Sequence, residues 1–385
     1  MIKDLIKISL ISVIPSLVSL IVVAQFGQRF FVEYGLSALV ANAPLMLFIK
    51  NEFRHYYLEL KTNDWQEYFK LLYKDVIIYS ASYAFIVNSI FYFIFDGYLD
   101  LFSIHIFNIL AISNILMGLV SLAQARLFSL GKYEKFFAVS MLVSLLRVVF
   151  MSLAGIYLVN PYFIVYAELI ATLLVLFYVL TDQKLPFLSL NVKKNLSIKK
   201  SSGITDGLAI TIYNIYSYIL FYYASMMITA NYFLLFFATY RITRPMINLG
   251  SLFPNYILKN QIEGKKKYLT MFVFFTLVAV ILILIEYSML LPFIINFLAE
   301  DITYDSNIYY FLILIGLISW INGLLAGNYM KIFKTSSGLL KAMITASLFS
   351  FILFVYTKNL IMTIAIFEIL NLILISFITQ IEKTS

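Results

Sequence analysis

The chain has 385 residues, of which 62% are apolar and only 12% are charged. A soluble protein carries about 25% charged residues, and its surface is too polar to accommodate so many apolar side chains. The composition therefore excludes an ordinary soluble enzyme, a disordered chain and a nucleic-acid-binding domain, even though the formal net charge is +8.

Residue types that carry metal and covalent chemistry are scarce. The sequence has no cysteine, and its two histidines, His55 and His105, are too far apart to form a spaced metal pair. The glycine-lysine pairs at 131–132 and 264–265 lack the upstream glycine of an ATP-binding phosphate loop. We therefore expect no catalytic residue, no metal site and no cofactor.

Apolar segments separated by polar breaks predict about twelve transmembrane helices, because a helix needs about 20 residues to cross a bilayer. The segments lie near residues 5–25, 29–49, 75–95, 101–124, 136–158, 161–181, 204–226, 230–257, 268–291, 308–332, 337–357 and 359–380. Two of the separating breaks are short, at 25–29 and at 229–231.

Lysine and arginine predict the orientation of these helices. Most of the 28 basic residues lie at the N-terminus, at the C-terminus or after the even-numbered segments. The other loops are short and contain mainly acids such as Asp96, Asp100 and Glu300. The positive-inside rule then places both termini in the cytoplasm. The longest loop, 50–74, is rich in aromatic residues and lysine, which is typical of an interfacial amphipathic helix and equally of a solvated loop.

A weak repeat relates the two sides of a basic linker at residues 182–203. Residues 30–34 resemble residues 236–240 at an offset of 206, and at that offset Asn42 falls on Asn248. The sequence therefore predicts an all-α membrane protein of two six-helix bundles, 1–181 and 204–385. We expect a pseudo-two-fold axis along the membrane normal to relate the bundles, with a central cavity between them.

Polar side chains form a stripe on the eighth predicted helix, at a depth where they are costly unless they face protein or water. Its members are Arg241, Arg244, Asn248, Ser251 and Asn255. Pro245 lies within the stripe and predicts a kink. Two arginines one turn apart suit an anion such as a pyrophosphate. The alternative is that they pair with acids and hold helices together.

Other membrane polar residues complete the candidate site. The seventh helix offers Asn214 and Ser217, and the second offers Asn42. Glu33 and Glu368 are candidates for ion coupling. Helix rise places Arg147 and Glu168 at similar depths on neighbouring helices, which predicts a structural ion pair. Asp206, near the cytoplasmic boundary, is expected to cap its helix.

The chain resembles bacterial polysaccharide-unit flippases of the multidrug/oligosaccharidyl-lipid/polysaccharide exporter superfamily. The resemblance rests on the two six-helix halves and on the segments GQRFF at 27–31, RLFSLGKY at 126–133, YRITRP at 240–245 and FP at 253–254. It implies transport of an undecaprenyl-pyrophosphate-linked oligosaccharide to the periplasmic leaflet by alternating access, for O-antigen, capsule or exopolysaccharide synthesis. It also implies the bacterial inner membrane as location and H+ or Na+ coupling.

The resemblance implies partners as well: membrane lipids, the lipid-linked oligosaccharide and other polysaccharide-assembly proteins, around a monomeric transport unit without nucleic acid. Two alternatives stay open from the residues. A cation-coupled multidrug or metabolite exporter would use Glu33 or Glu368 to bind organic cations, which two midplane arginines disfavour. A membrane glycan polymerase or ligase would need a sizeable periplasmic loop, which the short outer loops do not provide. We therefore expect a protein that is not an enzyme.

Overall fold

The structure is a computed structural model that describes residues 18–42, 65–95, 97, 101–129, 132–157, 160–183, 201–249, 292, 305–333 and 337–384. Residues 18–24 are helical. The helices that follow are α1 (Gln28–Ala41), α2 (Trp65–Ile94), α3 (Ile104–Ser129), α4 (Tyr133–Tyr157), α5 (Tyr162–Asp182), α6 (Ser201–Met227), α7 (Ala230–Leu249), α8 (Ser306–Phe333), α9 (Ser337–Thr357) and α10 (Leu360–Thr384). Every secondary-structure element within these ranges is a helix, which confirms the all-α prediction.

Seven of the described helices are long and apolar enough to cross a membrane. The protein is therefore a multi-pass membrane protein, as the composition predicted. The predicted segment at 268–291 lies outside the described residues. The aromatic part of the 50–74 loop is described only from Trp65, and from there it is continuous with α2 as one helix.

Both short breaks predicted from the sequence are present. The first is a turn at residues 25–27, where Gly27 has a φ of +90° that other residues rarely adopt. The second separates α6 from α7 at Ile228 and Thr229. In each case the backbone leaves the helix for two or three residues and then re-enters it. The chain thus divides its apolar stretches where glycine and polar residues interrupt them.

The described residues cluster into two compact units, of which one is Glu33–Ile215. Within it, α3 is the central helix and packs against α2, α4 and α5. Its core includes the buried side chains of Val120, Ala123, Val143 and Val175. The outer faces of α2 and α4 are exposed and apolar, which suits contact with lipid.

The other unit comprises Met1–Val32 and Tyr216–Ser385. Aromatic side chains pack between α6 and α7, where the Phe221 ring centre lies 5.4 Å from that of Phe237 and 4.8 Å from that of Tyr240. Phe31 also meets Phe237 edge-on at 6.0 Å. The halves predicted at 1–181 and 204–385 stay a prediction.

Candidate functional site

The predicted arginine stripe lies on α7. Residues 233–240 of this helix are buried, and Arg241 follows them as a half-buried residue. Arg241 is eleven residues from Ala230, which corresponds to about 16 Å along the helix and agrees with the depth counted from the sequence. The backbone places Arg244 and Asn248 on the same face of α7. Ser251 and Asn255 lie outside the described residues.

Helix α7 continues through Pro245 to Leu249. Proline has no backbone N–H, so the carbonyl of Arg241 lacks its usual helical donor. One turn earlier, the hydroxyls of Thr239 and Thr243 donate back to carbonyls of the preceding turn, at 2.7 Å and 3.0 Å. Such back-bonding and the proline both weaken the regular ladder in the stretch that carries Arg241.

Two further predicted residues, Asn214 and Ser217, lie on α6 and are buried. They are three positions apart and share a helix face with Phe221. Phe221 in turn packs on Tyr240 of α7. The α6 face that carries Ser217 is therefore the face that meets α7, next to the residue before Arg241.

Asn42, the predicted site residue of the second span, stands directly after the last residue of α1. Side chains of neighbouring helices satisfy the carbonyls at this helix end: the Tyr83 hydroxyl donates to the Val40 carbonyl at 2.9 Å, and Asn114 Nδ2 donates to the Ala41 carbonyl at 3.0 Å. Unpaired carbonyls are costly in lipid. Tyr83 and Asn114 are contributors that sequence reasoning missed, because their partners are backbone atoms distant in sequence.

Glu368 on α10 is 4% exposed, and its carboxyl is held by α8. Asn322 Nδ2 donates to Glu368 Oε2 at 2.7 Å and to the Glu368 carbonyl at 2.9 Å. Within the described part of the chain, Asn322 Oδ1 and Asn371 Oδ1 are buried without a hydrogen-bond partner. The sequence pointed to Glu368 but gave no signal for its partners. Glu33, the other candidate acid, is half-buried on α1.

The structure brings Arg147 and Glu168 together. Arg147 Nη2 on α4 lies 2.8 Å from Glu168 Oε1 on α5. The Tyr34 hydroxyl of α1 donates to the other carboxylate oxygen, Glu168 Oε2, at 2.9 Å. The depth count indicated the ion pair but not the tyrosine.

The expected cap at Asp206 is wrong. Helix α6 is already helical at Ser201, so Asp206 lies within the second turn of the helix. A capping residue flanks the helix and has a non-helical backbone. The sequence predicted the start of the helix at residue 204, where the apolar segment begins. The helix starts earlier, at Ser201, within the polar linker.

No protein-family model matches the chain, and no curated protein matches it in sequence. Solved structures do match its fold. An outward-facing multidrug resistance MATE family transporter of the MOP superfamily has 12% identity and a TM-score of 0.63, over 100% of this chain and 97% of that one. An inward-facing one has 13% identity and a TM-score of 0.64, over 97% and 96%.

A third match is a MOP superfamily transporter from Pyrococcus furiosus, described as having a binding pocket of reverse polarity that suggests a different function. It has 12% identity and a TM-score of 0.54, over 97% of this chain and 93% of that one. Identities this low are informative about the fold. The chain therefore has the fold of MATE and other MOP superfamily transporters.

Proposed function

We propose that the protein is a flippase that moves an undecaprenyl-pyrophosphate-linked oligosaccharide from the cytoplasmic to the periplasmic leaflet by alternating access. The observation that carries the proposal is the half-buried Arg241 at mid-depth in α7, with Arg244 following one turn later on the same face. A guanidinium keeps its charge in any environment and binds phosphate oxygens through two parallel hydrogen bonds. A membrane-embedded pair of this kind suits a pyrophosphate better than a cationic drug.

The fold supports transport as the general activity, since the matching structures are transporters. It leaves the substrate open, because one fold hosts many functions. The description of the Pyrococcus furiosus protein indicates that pocket polarity differs within the MOP superfamily. For this chain, we take the two arginines of α7 as the basis for proposing an anionic substrate. Asn42, Asn214, Ser217 and Asn248 are proposed to contact the glycan.

Reconstitution into proteoliposomes tests the proposal. The lipid-linked oligosaccharide would be placed in the bilayer, and the glycan that becomes accessible to a membrane-impermeant oxidant such as periodate would be followed over time. We expect the protein to accelerate this exposure. Arg241→Ala and Arg244→Ala should each slow it by about tenfold or more, the factor that corresponds to losing a hydrogen bond with a charged partner.

Arg126→Ala is the matched control, since Arg126 lies at the end of α3 and donates to the Gln183 carbonyl at 3.4 Å. It removes the same charge outside the candidate site and should leave the rate unchanged. Wild-type rates in both α7 variants, with normal protein levels, would show that the arginines do not hold the substrate. Glycosyltransferase and polymerase genes beside this one would add independent support.

A multidrug or metabolite exporter is the second candidate. The buried carboxyl of Glu368 favours it, since an acid at membrane depth is able to hold a cation. Ethidium efflux from vesicles under an H+ or Na+ gradient separates the two functions. Efflux that is insensitive to Arg241→Ala but lost in Glu368→Gln supports the exporter. Oligosaccharide exposure that depends on the arginines supports the flippase.

A further inference from the structure

The carboxylate of Glu168 is shared between two helices besides its own. One oxygen accepts a hydrogen bond from Arg147 of α4, and the other accepts one from Tyr34 of α1. Tyr34 and Glu168 are both buried, at 7% and 9% exposure. The carboxylate therefore links α1 to the hairpin of α4 and α5 through a charge-assisted hydrogen bond from Tyr34.

The Arg147 guanidinium uses only some of its hydrogen-bond donors in this arrangement. Among the residues that the structure describes, its buried Nε has no hydrogen-bond partner. Nε lies on the same edge of the guanidinium as Nη2, and that edge matches the two oxygens of a carboxylate. Glu168 makes a one-point contact there, while its second oxygen accepts a hydrogen bond from Tyr34.

We propose that Tyr34, Glu168 and Arg147 form an exchange switch that holds or releases α1. When Tyr34 leaves, Glu168 Oε2 turns to Arg147 Nε, and the ion pair changes from a one-point to a two-point contact. The carboxylate keeps the same number of hydrogen bonds, and the buried Nε gains one. Moving Tyr34 away therefore leaves neither Glu168 nor Arg147 as an unsatisfied charged group in the membrane, which would otherwise be a large barrier. Complete release of α1 also breaks the neutral hydrogen bonds from Tyr83 and Asn114 to its last carbonyls. The inference does not depend on what the protein transports.

The absence of cysteine makes the switch measurable by labelling. Ala38 lies one turn after Tyr34 on α1 and is 8% exposed, so Ala38→Cys introduces a small buried thiol. N-ethylmaleimide should react with this thiol only when α1 separates from its neighbours. In the Ala38→Cys background, Tyr34→Phe should raise the labelling rate about tenfold, the factor expected for losing a hydrogen bond to a charged group.

Arg147→Lys separates an exchange switch from a merely structural pair. Lysine keeps the charge but has no two-point edge, so release of α1 would leave Glu168 Oε2 unsatisfied. The exchange switch predicts slower labelling of Ala38→Cys in this variant than in the wild-type background. A pair that simply holds helices together predicts faster labelling, since the substitution weakens it.

Tyr166→Phe is the matched control, because Tyr166 is an exposed tyrosine of α5 whose hydroxyl pairs with His105 Nε2 at 3.2 Å. In the Ala38→Cys background, Tyr166→Phe should leave the labelling rate unchanged. Equal rates in Tyr34→Phe and Tyr166→Phe would overturn the proposal, as would unchanged or faster labelling in Arg147→Lys. Size-exclusion chromatography of each variant verifies that the protein is folded, so that faster labelling reports release of α1.

Discussion

Tyr329 joins three helices through one hydroxyl. The side chain is fully buried on α8. Its hydroxyl donates to Glu382 Oε2 of α10 at 2.5 Å and accepts a hydrogen bond from the Gly338 backbone N–H of α9 at 3.3 Å. Gly338 has room for this contact only because it lacks a side chain. A Cβ at that position would stand 2.5 Å from the Tyr329 hydroxyl and 2.7 Å from Ile378 Cγ2.

Gly338→Ala should therefore destabilise the protein by about 1–3 kcal/mol, the usual cost of overpacking a filled site. The fluorescence of Trp320, which is buried on α8, reports thermal unfolding in detergent. We expect a lower unfolding midpoint for this variant, whereas Lys341→Ala, at an exposed position of α9, should melt like the wild type. A wild-type midpoint for Gly338→Ala would mean that Tyr329 moves aside at no cost.

Glu368→Gln tests whether the carboxyl of this residue couples transport to an ion gradient. Glutamine has nearly the same shape, and its amide still offers an oxygen to Asn322 Nδ2, so the fold should be retained. It has no charge and no titratable proton, so transport driven by an imposed H+ or Na+ gradient should fall to the undriven rate. Glu382→Gln, at the contact with Tyr329, is the control for removing a carboxyl elsewhere on α10. Gradient-driven transport that survives in Glu368→Gln would exclude this residue as the coupling acid.

The element whose mechanics matter most for the proposed function is α7. Pro245 and the back-bonding threonines weaken its hydrogen-bond ladder around Arg241. A membrane helix tolerates such a weakness when the freed carbonyl finds another partner or when the helix has to bend. The two arginines therefore lie on a stretch that is able to change its direction relative to the buried residues 233–240.

Pro245→Ala should raise thermal stability and slow transport. Alanine returns an N–H to the Arg241 carbonyl and removes the ring that crowds it, and interior proline costs about 3 kcal/mol relative to alanine. The unfolding midpoint and the initial rate of oligosaccharide exposure would be measured on the same preparation. Pro161→Ala is the control, because Pro161 precedes the first residue of α5, where a missing N–H costs little. A stiffer helix with unchanged transport would show that α7 does not bend in the cycle.

Helix positions could be predicted from the sequence because the signals are local. The segments predicted at 136–158 and 337–357 correspond to Tyr133–Tyr157 and Ser337–Thr357, since long apolar runs end at polar, glycine or proline residues. Contacts between helices could not be predicted in the same way. The bonds from Tyr34 to Glu168 and from Asn322 to Glu368 depend on how each helix is rotated about its axis, which the hydrophobic pattern leaves loosely defined. The Arg147–Glu168 pair could be predicted only because the two helices form a hairpin, so that counting the helix rise from the turn gives the membrane depth of both residues.

On the scale of the whole molecule, large apolar side chains lie on the outside as well as in the core. Phe85 and Phe93 on α2 are 74% and 85% exposed, and Tyr356 at the end of α9 is 83% exposed. Lipid tails accept such surfaces, so burial alone cannot account for a 62% apolar composition. The polar minority inside the helices is accordingly the informative part for function, because each such residue needs a partner or a watery cavity.

The orientation of the chain is the most general prediction, and the cysteine-free sequence allows a direct test. Single cysteines would be placed at Lys3, Lys194 and Lys383 for the cytoplasmic side and at Asp100 and Lys358 for the periplasmic side. A membrane-impermeant maleimide added to intact cells should label only the last two, because basic loops stay inside. Lys194 is decisive for the repeat, since six helices on each side of the linker require it to share a side with both termini. Labelling of Lys194→Cys from outside would mean an odd number of helices in the first half and would remove the parallel relation between the bundles.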